Sequence, residues 1–371
     1  MTVTLDNLGW DSRFEEAFRQ LAQPGWYPAR IIRETKINYT VIGQGTGDHD
    51  VVLSGKVWND ADSDADLPAV GDWVAVDPGQ EGDIPVIRAR LPRKTCFSRK
   101  APGKSTAEQV IGANIDIVVI VTDAGEDFNP RRIERYLTLV RKSGADPIVL
   151  INKADQTPKG ILQEAVDSLR SLAPNLPVHP ISARKRKGYP DILALVPSGL
   201  TITIVGSSGV GKSTLVNSLL GEEWLDTGDV NAVTGKGRHT TVARELVILP
   251  DGGCLIDNPG MREIQMWTDA ETLRANFADL SELAAQCKFA DCSHGKDAGC
   301  AIRAAVGNGT LSQERYEHYM RLDEEIEELV RRSEKRQMTL ERVNKRKTRE
   351  KIRNYEDRRD QRRDRHPNRP C

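Results

Sequence analysis

Gly206-Ser207-Ser208-Gly209-Val210-Gly211-Lys212-Ser213-Thr214 decides how this chain is read. The pattern G-x-x-x-x-G-K-S follows an apolar run, Leu200 to Val205, and precedes a helical pattern that ends near Gly221. A strand, a glycine-rich turn and a helix in that order predict a phosphate-binding loop. Glycines let backbone N–H groups wrap phosphates at close range, and the helix N-terminus adds a favourable field. Lys212 is expected to reach the β- and γ-phosphates, and the Ser213 hydroxyl to ligate Mg²⁺. A second match, Gly103-Lys104-Ser105, lacks the leading glycine, because position 98 is Ser, and is set aside.

Downstream, Cys254-Leu-Ile-Asp257-Asn-Pro-Gly260 places an acid at the end of an apolar run. Asp257 is the expected water-mediated Mg²⁺ ligand and Gly260 the γ-phosphate sensor. Between the two motifs, Thr234-Gly-Lys-Gly-Arg-His239-Thr240-Thr241 is polar and glycine-containing, which suits a switch segment. Thr240 or Thr241 is the candidate Mg²⁺ ligand there. Position 261 is Met, which cannot orient water as the Gln of many GTPases does, so His239 is the candidate catalytic residue.

Upstream, Asn152-Lys153-Ala154-Asp155 directly follows the apolar run Pro147 to Ile151. An Asp carboxylate there can accept hydrogen bonds from guanine N1–H and N2–H₂, which adenine cannot supply. The Ala183 N–H of Ser182-Ala183 would complete the base pocket. The base-reading motif therefore precedes the phosphate loop, the reverse of the usual order. A circular permutation preserves the pocket when old ends are joined and new ones open elsewhere.

At 371 residues the chain exceeds one such domain. An amphipathic lead-in, Phe14, Phe18 and Leu21, fills 1–27. Short strand-like runs over 28–92 predict a small β-barrel: Ala29 to Ile32, Tyr39 to Ile42, Val51 to Leu53, Trp73 to Val76 and Ile84 to Ile87. Asp60, Asp62 and Asp64 resemble the opening of a calcium loop, but Ala65 and Gly71 stand where Gly and Glu are needed, so calcium is rejected. Residues 93–109 form a linker or RNA-facing strap with Arg93, Lys94, Arg99, Lys100 and Lys104. The α/β domain spans 110–268, with Ile115 to Val121 and Pro147 to Ile151 as buried strands around a helical Arg132 to Lys142.

Beyond it, 269–330 reads as a small helical domain holding Cys287-x₄-Cys292-x-His294-x₅-Cys300. Three thiolates and an imidazole are the ligand set of a closed tetrahedral zinc site, structural rather than catalytic. Net charge is −1, yet residues 331–370 hold 17 Lys or Arg against 7 Asp or Glu. A basic tail, 331–371, on an acidic body predicts a polyanionic partner. There is neither a secretory leader pattern nor an apolar run long enough to span a membrane, so a cytoplasmic, monomeric protein without a membrane partner is expected.

Together these features resemble the ribosome small-subunit-dependent GTPase A (RsgA, YjeQ) family. Leu67-Pro-Ala-Val-Gly-Asp-Trp73, Gly206 to Ser213 and Gly237-Arg-His-Thr-Thr241 carry the resemblance, along with the zinc ligands. It implies an OB-type barrel, a permuted GTPase domain, and an assembly factor that binds the small ribosomal subunit and its rRNA near the decoding centre. It also implies slow GTP hydrolysis to GDP that the subunit stimulates and that times release. Asn258 departs from the family's Thr in Asp-Thr-Pro-Gly. The alternative is an RNA-binding scaffold whose nucleotide pocket is a sensor with negligible turnover, which Met261 favours.

Overall fold

The computed structural model describes residues 3–331 apart from 36–37, 46, 101–107, 126–127, 195, 222–243, 251, 259–276, 291, 296, 325 and 329. Asp11 opens the first helix, α1 (Ser12–Leu21), by accepting from the Arg13 and Phe14 N–H groups at 3.0 and 3.1 Å. Phe14 is buried, and Trp10 meets Trp73 edge-on at 4.7 Å, so the lead-in packs on the next unit through its aromatic face.

That unit is a barrel of β1 (Tyr27–Glu34), β2 (Tyr39–Gly43), β3 (His49–Leu53), β4 (Trp73–Asp77) and β5 (Val86–Arg90), with α2 (Gly55–Asp60) between β3 and β4. The strands run in the order β1-β2-β3-β5-β4, and β4 pairs back with β1. Closure of five strands removes the open edges and gives an OB-type barrel. Its core holds Ile31, Val41, Val51, Val74, Val76 and Ile87. The last strand begins at Val86 rather than Ile84, which is 63% exposed.

Arg30, only 1% exposed, joins three parts of the chain. Its guanidinium donates to the carbonyls of Leu8, of Gly71 at 3.1 Å and of Asn114 at 3.1 Å, and lies 5.7 Å from the Trp73 ring centroid. Arg30→Met should lower stability by about 2–4 kcal/mol, because three carbonyls lose a charged donor in a dry site. The midpoint and slope of urea unfolding measure this; an unmoved midpoint would show that water replaces the guanidinium at no cost.

Two strands, β6 (Cys96–Lys100) and β7 (Glu108–Ala113), pair antiparallel across the stretch read as a linker. The alternation that makes β6 a strand is short, with Phe97 buried on one face, and flanking basic residues conceal it. Arg93 forks onto Asp72 at 2.9 and 2.8 Å and Lys94 pairs with Asp116 at 2.8 Å. Both cations are therefore already paired within the chain.

The next sheet carries the chemistry. Strands β8 (Ile117–Asp123), β9 (Asp146–Asn152), β10 (Val178–Pro180), β11 (Thr201–Gly206), β12 (Glu245–Ile248) and β13 (Cys254–Asp257) lie in the order β10-β9-β8-β11-β13-β12. All neighbours are parallel except the β12–β13 pair. Helices α3 (Pro130–Ser143), α4 (Lys159–Leu172), α5 (Tyr189–Ala194) and α6 (Lys212–Leu220) make the crossovers and cover the faces. Asn129 caps α3 by accepting from Arg132 N–H at 3.1 Å, and Pro130 fits its first turn. Strand order reverses between β8 and β11, which opens a crevice beyond their C-terminal ends.

The C-terminal unit consists of short helices, Ala278–Ala284 and Ala301–Gly307, and a further helical stretch over 313–324. Arg315 fastens it to α3, reaching Glu134 at 2.8 Å and Asp279 at 2.6 and 2.9 Å, with Phe277 under its guanidinium at 4.8 Å. Among the described residues, no helix is long and apolar enough to cross a membrane.

Candidate nucleotide site and metal centre

The phosphate loop emerges from β11 beside β8. Gly206 has φ 147°, Gly209 φ 79° and Gly211 φ 95°. A Cβ at Gly206 would lie 2.2 Å from the Val121 carbonyl oxygen, and one at Gly211 would lie 2.3 Å from Asn152 Nδ2. Glycine is required at both positions by backbone conformation and by space. Ser207, Ser208, Val210, Lys212, Ser213 and Thr214 complete the turn into α6. Lys212 Nζ bends over the loop and donates to the Gly206 and Ser207 carbonyls at 2.9 and 2.5 Å. This bend places its ammonium at the mouth of the loop's backbone cradle.

Asn152 ends β9 and is buried. Its Nδ2 donates to the Val210 carbonyl at 2.8 Å, and its Oδ1 accepts from the Ala183 N–H at 2.9 Å. One side chain thus ties three motifs far apart in sequence. The Ala183 N–H, expected to face the base, is engaged with Asn152 in this geometry. Lys153 adopts φ 59° and pairs with Asp123 at 3.0 Å.

Asp155 Oδ2 pairs with Lys185 Nζ at 3.0 Å, while Oδ1 is buried and makes no hydrogen bond among the described residues. The Ser182 hydroxyl and then the Lys185 ammonium hold the Asp155 carboxyl below the usual carboxylate range. A buried acceptor oxygen without a donor, beside a glycine-lined cradle, fits a guanine nucleotide. The roles of Lys185 and Asp123 escaped the sequence reading; the basic run Arg184 to Lys187 after Ser182-Ala183 was the available signal.

Asp257 closes β13, next to β11, and burial pushes its carboxyl upward. Glu245, its partner across the β12–β13 pair, pushes it the same way, so a bound cation would favour the ionised carboxylate. Asn258 Nδ2 donates to Thr203 Oγ1 at 3.2 Å, and Thr203 Oγ1 donates to the Ile256 carbonyl at 2.9 Å. The Asn that departs from the family's Thr therefore anchors this strand end to β11. His239, Thr240, Thr241, Gly260 and Met261 lie outside the described residues, as does the tail after 331.

Cys287, Cys292, His294 and Cys300 bring one ligand atom each to within 4.8 Å of one another. His294 Nδ1 stands 3.6 Å from Cys287 Sγ and 3.7 Å from Cys300 Sγ, spacings that surround one tetrahedral ion. The backbone N–H groups of Ala301 and Arg303 point at the Cys287 and Cys300 sulfurs at 3.4 and 3.5 Å. Tyr316 OH donates to the His294 carbonyl at 2.9 Å and fixes the turn.

A phosphate loop at a sheet switch point, with the base-side motif ahead of it in the chain, defines a circularly permuted P-loop GTPase. The family model described as RsgA GTPase matches residues 90–267, and that described as 50S ribosome-binding GTPase matches 201–345. A small ribosomal subunit biogenesis GTPase RsgA of Opitutus terrae is 41% identical over 342 residues, covering 89% of this chain and 92% of the relative. Its namesake from Syntrophotalea carbinolica is 40% identical, covering 90% and 92%. The crystal structure of YjeQ from Thermotoga maritima aligns with TM-score 0.60 and 25% identity, covering 81% of this chain and 98% of that one. That of YloQ, a circularly permuted GTPase, aligns with TM-score 0.58 at 22% identity, over 83% and 97%, and shares the fold. The chain belongs to the RsgA family of small ribosomal subunit biogenesis GTPases.

Proposed function

We propose that this protein hydrolyses GTP to GDP and phosphate during late maturation of the small ribosomal subunit, holding rRNA in the GTP state and leaving after hydrolysis. The partnerless Asp155 Oδ1, set beside the Asn152 tie between phosphate loop and Ser182-Ala183, supports this reading most directly. Asp155 accepts from the guanine edge, and Ser182, Ala183 and Lys153 wall the base. Residues 206–214 cradle the phosphates through backbone N–H groups, and Lys212 leaves its carbonyl partners for phosphate oxygens. Ser213, Asp257 and a Thr at 240 or 241 would hold Mg²⁺, which would supply neutralisation of phosphate charge. His239 orients the attacking water.

Multiple-turnover phosphate release with and without purified small subunits tests this function. Turnover should rise at least tenfold with subunits, and His239→Ala should remove most of that rise while GTP affinity stays within about twofold. Turnover indifferent to subunits would reject the assignment. Arg93 and Lys94 being internally paired, the basic residues 331–369 are the better rRNA anchor.

Zn²⁺ suits the four-ligand cluster, where it is structural because every tetrahedral position has a protein ligand. Metal analysis should return one zinc per chain. Chelation should speed amide exchange over 285–305 while GTP affinity is retained, since the phosphate loop belongs to a separate core. Loss of both together would place the metal in the nucleotide fold.

A further inference from the structure

The nucleotide sheet would end at β12, the neighbour of β13 and hence of Asp257. It does not end there, because the first barrel strand continues it: β1 pairs antiparallel with β12. Among the described residues the ladder between them shows one register pair, Arg33 with Glu245. Side chains add to this backbone hold.

They do so in crossed pairs. Arg33 of the barrel meets Glu245 of β12, and Glu34 of the barrel meets Arg244, immediately before β12, at 2.9 Å. Arg244 also donates to the Val110 carbonyl of β7 at 2.6 Å. Side-chain exposure at Glu245, Arg244 and Glu34 is 15, 20 and 26%, which limits solvent screening of these charges, while Arg33, at 40%, is the most screened of the four. Burial also pushes the Glu34 carboxyl upward against the opposing pull of Arg244. Glu245 is the cross-strand partner of Asp257, so Asp257, Glu245 and Arg33 form a row across three strands.

We propose that Arg33 and Glu34, contributed by the barrel, are positioning residues for GTP hydrolysis, acting through Arg244 and Glu245 to fix the strand pair that presents Asp257. This rests on the GTPase reading above. Base and phosphate recognition belong to β9, β11 and the loops after them, on the other side of β13. Loosening β12 should therefore misplace the reacting groups more than it weakens nucleotide binding, and small misplacements cost rate steeply.

The test is a charge swap in the full-length protein without ribosomal subunits. Arg244→Glu and Glu34→Arg should each lower kcat for GTP about tenfold with KM within about twofold, and the double swap should recover kcat to within about threefold of wild type. Singles with wild-type kcat would overturn the proposal, as would a double variant as slow as the singles. Amide exchange over Glu245–Ile248 and Cys254–Asp257 gives a second readout: about fivefold faster in each single variant and restored in the double. Should wild type itself prove inactive, the GTPase reading fails, yet exchange still decides: unchanged rates in the singles reject the anchor. The milder Glu245→Gln, with the same two readouts, serves if a reversed charge prevents folding.

Discussion

Asp155→Asn is expected to lower GTP affinity by about 10³-fold and to raise affinity for xanthosine triphosphate, because a site built to accept two guanine donors rejects a ligand that cannot match it. The carboxylate accepts only, and its buried Oδ1 makes no hydrogen bond among the described residues. Guanine N1–H and N2–H₂ supply donors at that edge. An amide in its place turns an N–H₂ toward them, donor against donor, at a side chain only 9% exposed. Xanthine carries a carbonyl where guanine has its amino group, which the new amide can satisfy. Lys185 sharpens the effect: it pairs with Oδ2 at 3.0 Å and, after Ser182, helps hold the carboxyl below its usual range, and Asn removes its charged partner. Fluorescent-nucleotide titration against both bases measures the exchange of preference. A GTP affinity equal to wild type would show that Asp155 is not the base reader.

Gly211→Ala should weaken nucleotide binding several-hundredfold while leaving the global fold intact. Gly211 sits at φ 95°, where an L side chain costs roughly 1–2 kcal/mol. The added methyl would lie 2.3 Å from Asn152 Nδ2, so Asn152 must leave. Its departure breaks the bonds to the Val210 carbonyl and from the Ala183 N–H, at about 1 kcal/mol each in a buried site. The total, about 3–4 kcal/mol, is between two and three tenfold steps in affinity. The fold should persist because β11 and α6 remain packed on either side of the loop, with an unfolding midpoint lowered by the part of this cost that the free protein bears. Calorimetric binding within tenfold of wild type would mean the loop relaxes around the methyl without disturbing Asn152.

Both predictions start from motifs that were legible in the linear chain and end on contacts that were not. Residues 206–214, 152–155, 254–260 and the Cys/His cluster are short, contiguous and chemically constrained. A glycine needed for backbone approach, an acid at a strand end, or four soft ligands in one segment can be read without knowing what lies alongside. The permuted order was readable for the same reason, since it concerns only which motif comes first. Barrel strands were found from their apolar runs, whereas β6 was hidden by basic residues that proved to be internal partners of Asp72 and Asp116.

What the sequence by itself determined, then, is the set of local chemistries: phosphate cradle, base-side acid, strand-end acid, metal ligands, and a basic tail on an acidic body. Only the tertiary structure decided how they are joined. Asn152 is a tie across three motifs because β9 and β11 flank β8, which brings residues 152, 183 and 210 within hydrogen-bond reach. Arg33 and Glu34 meet Glu245 and Arg244 because the barrel's first strand extends the nucleotide sheet at β12. Contacts separated by about 200 residues leave no periodicity in either partner's neighbourhood. Such pairs are set by strand order and register, which a linear pattern of residue types does not encode.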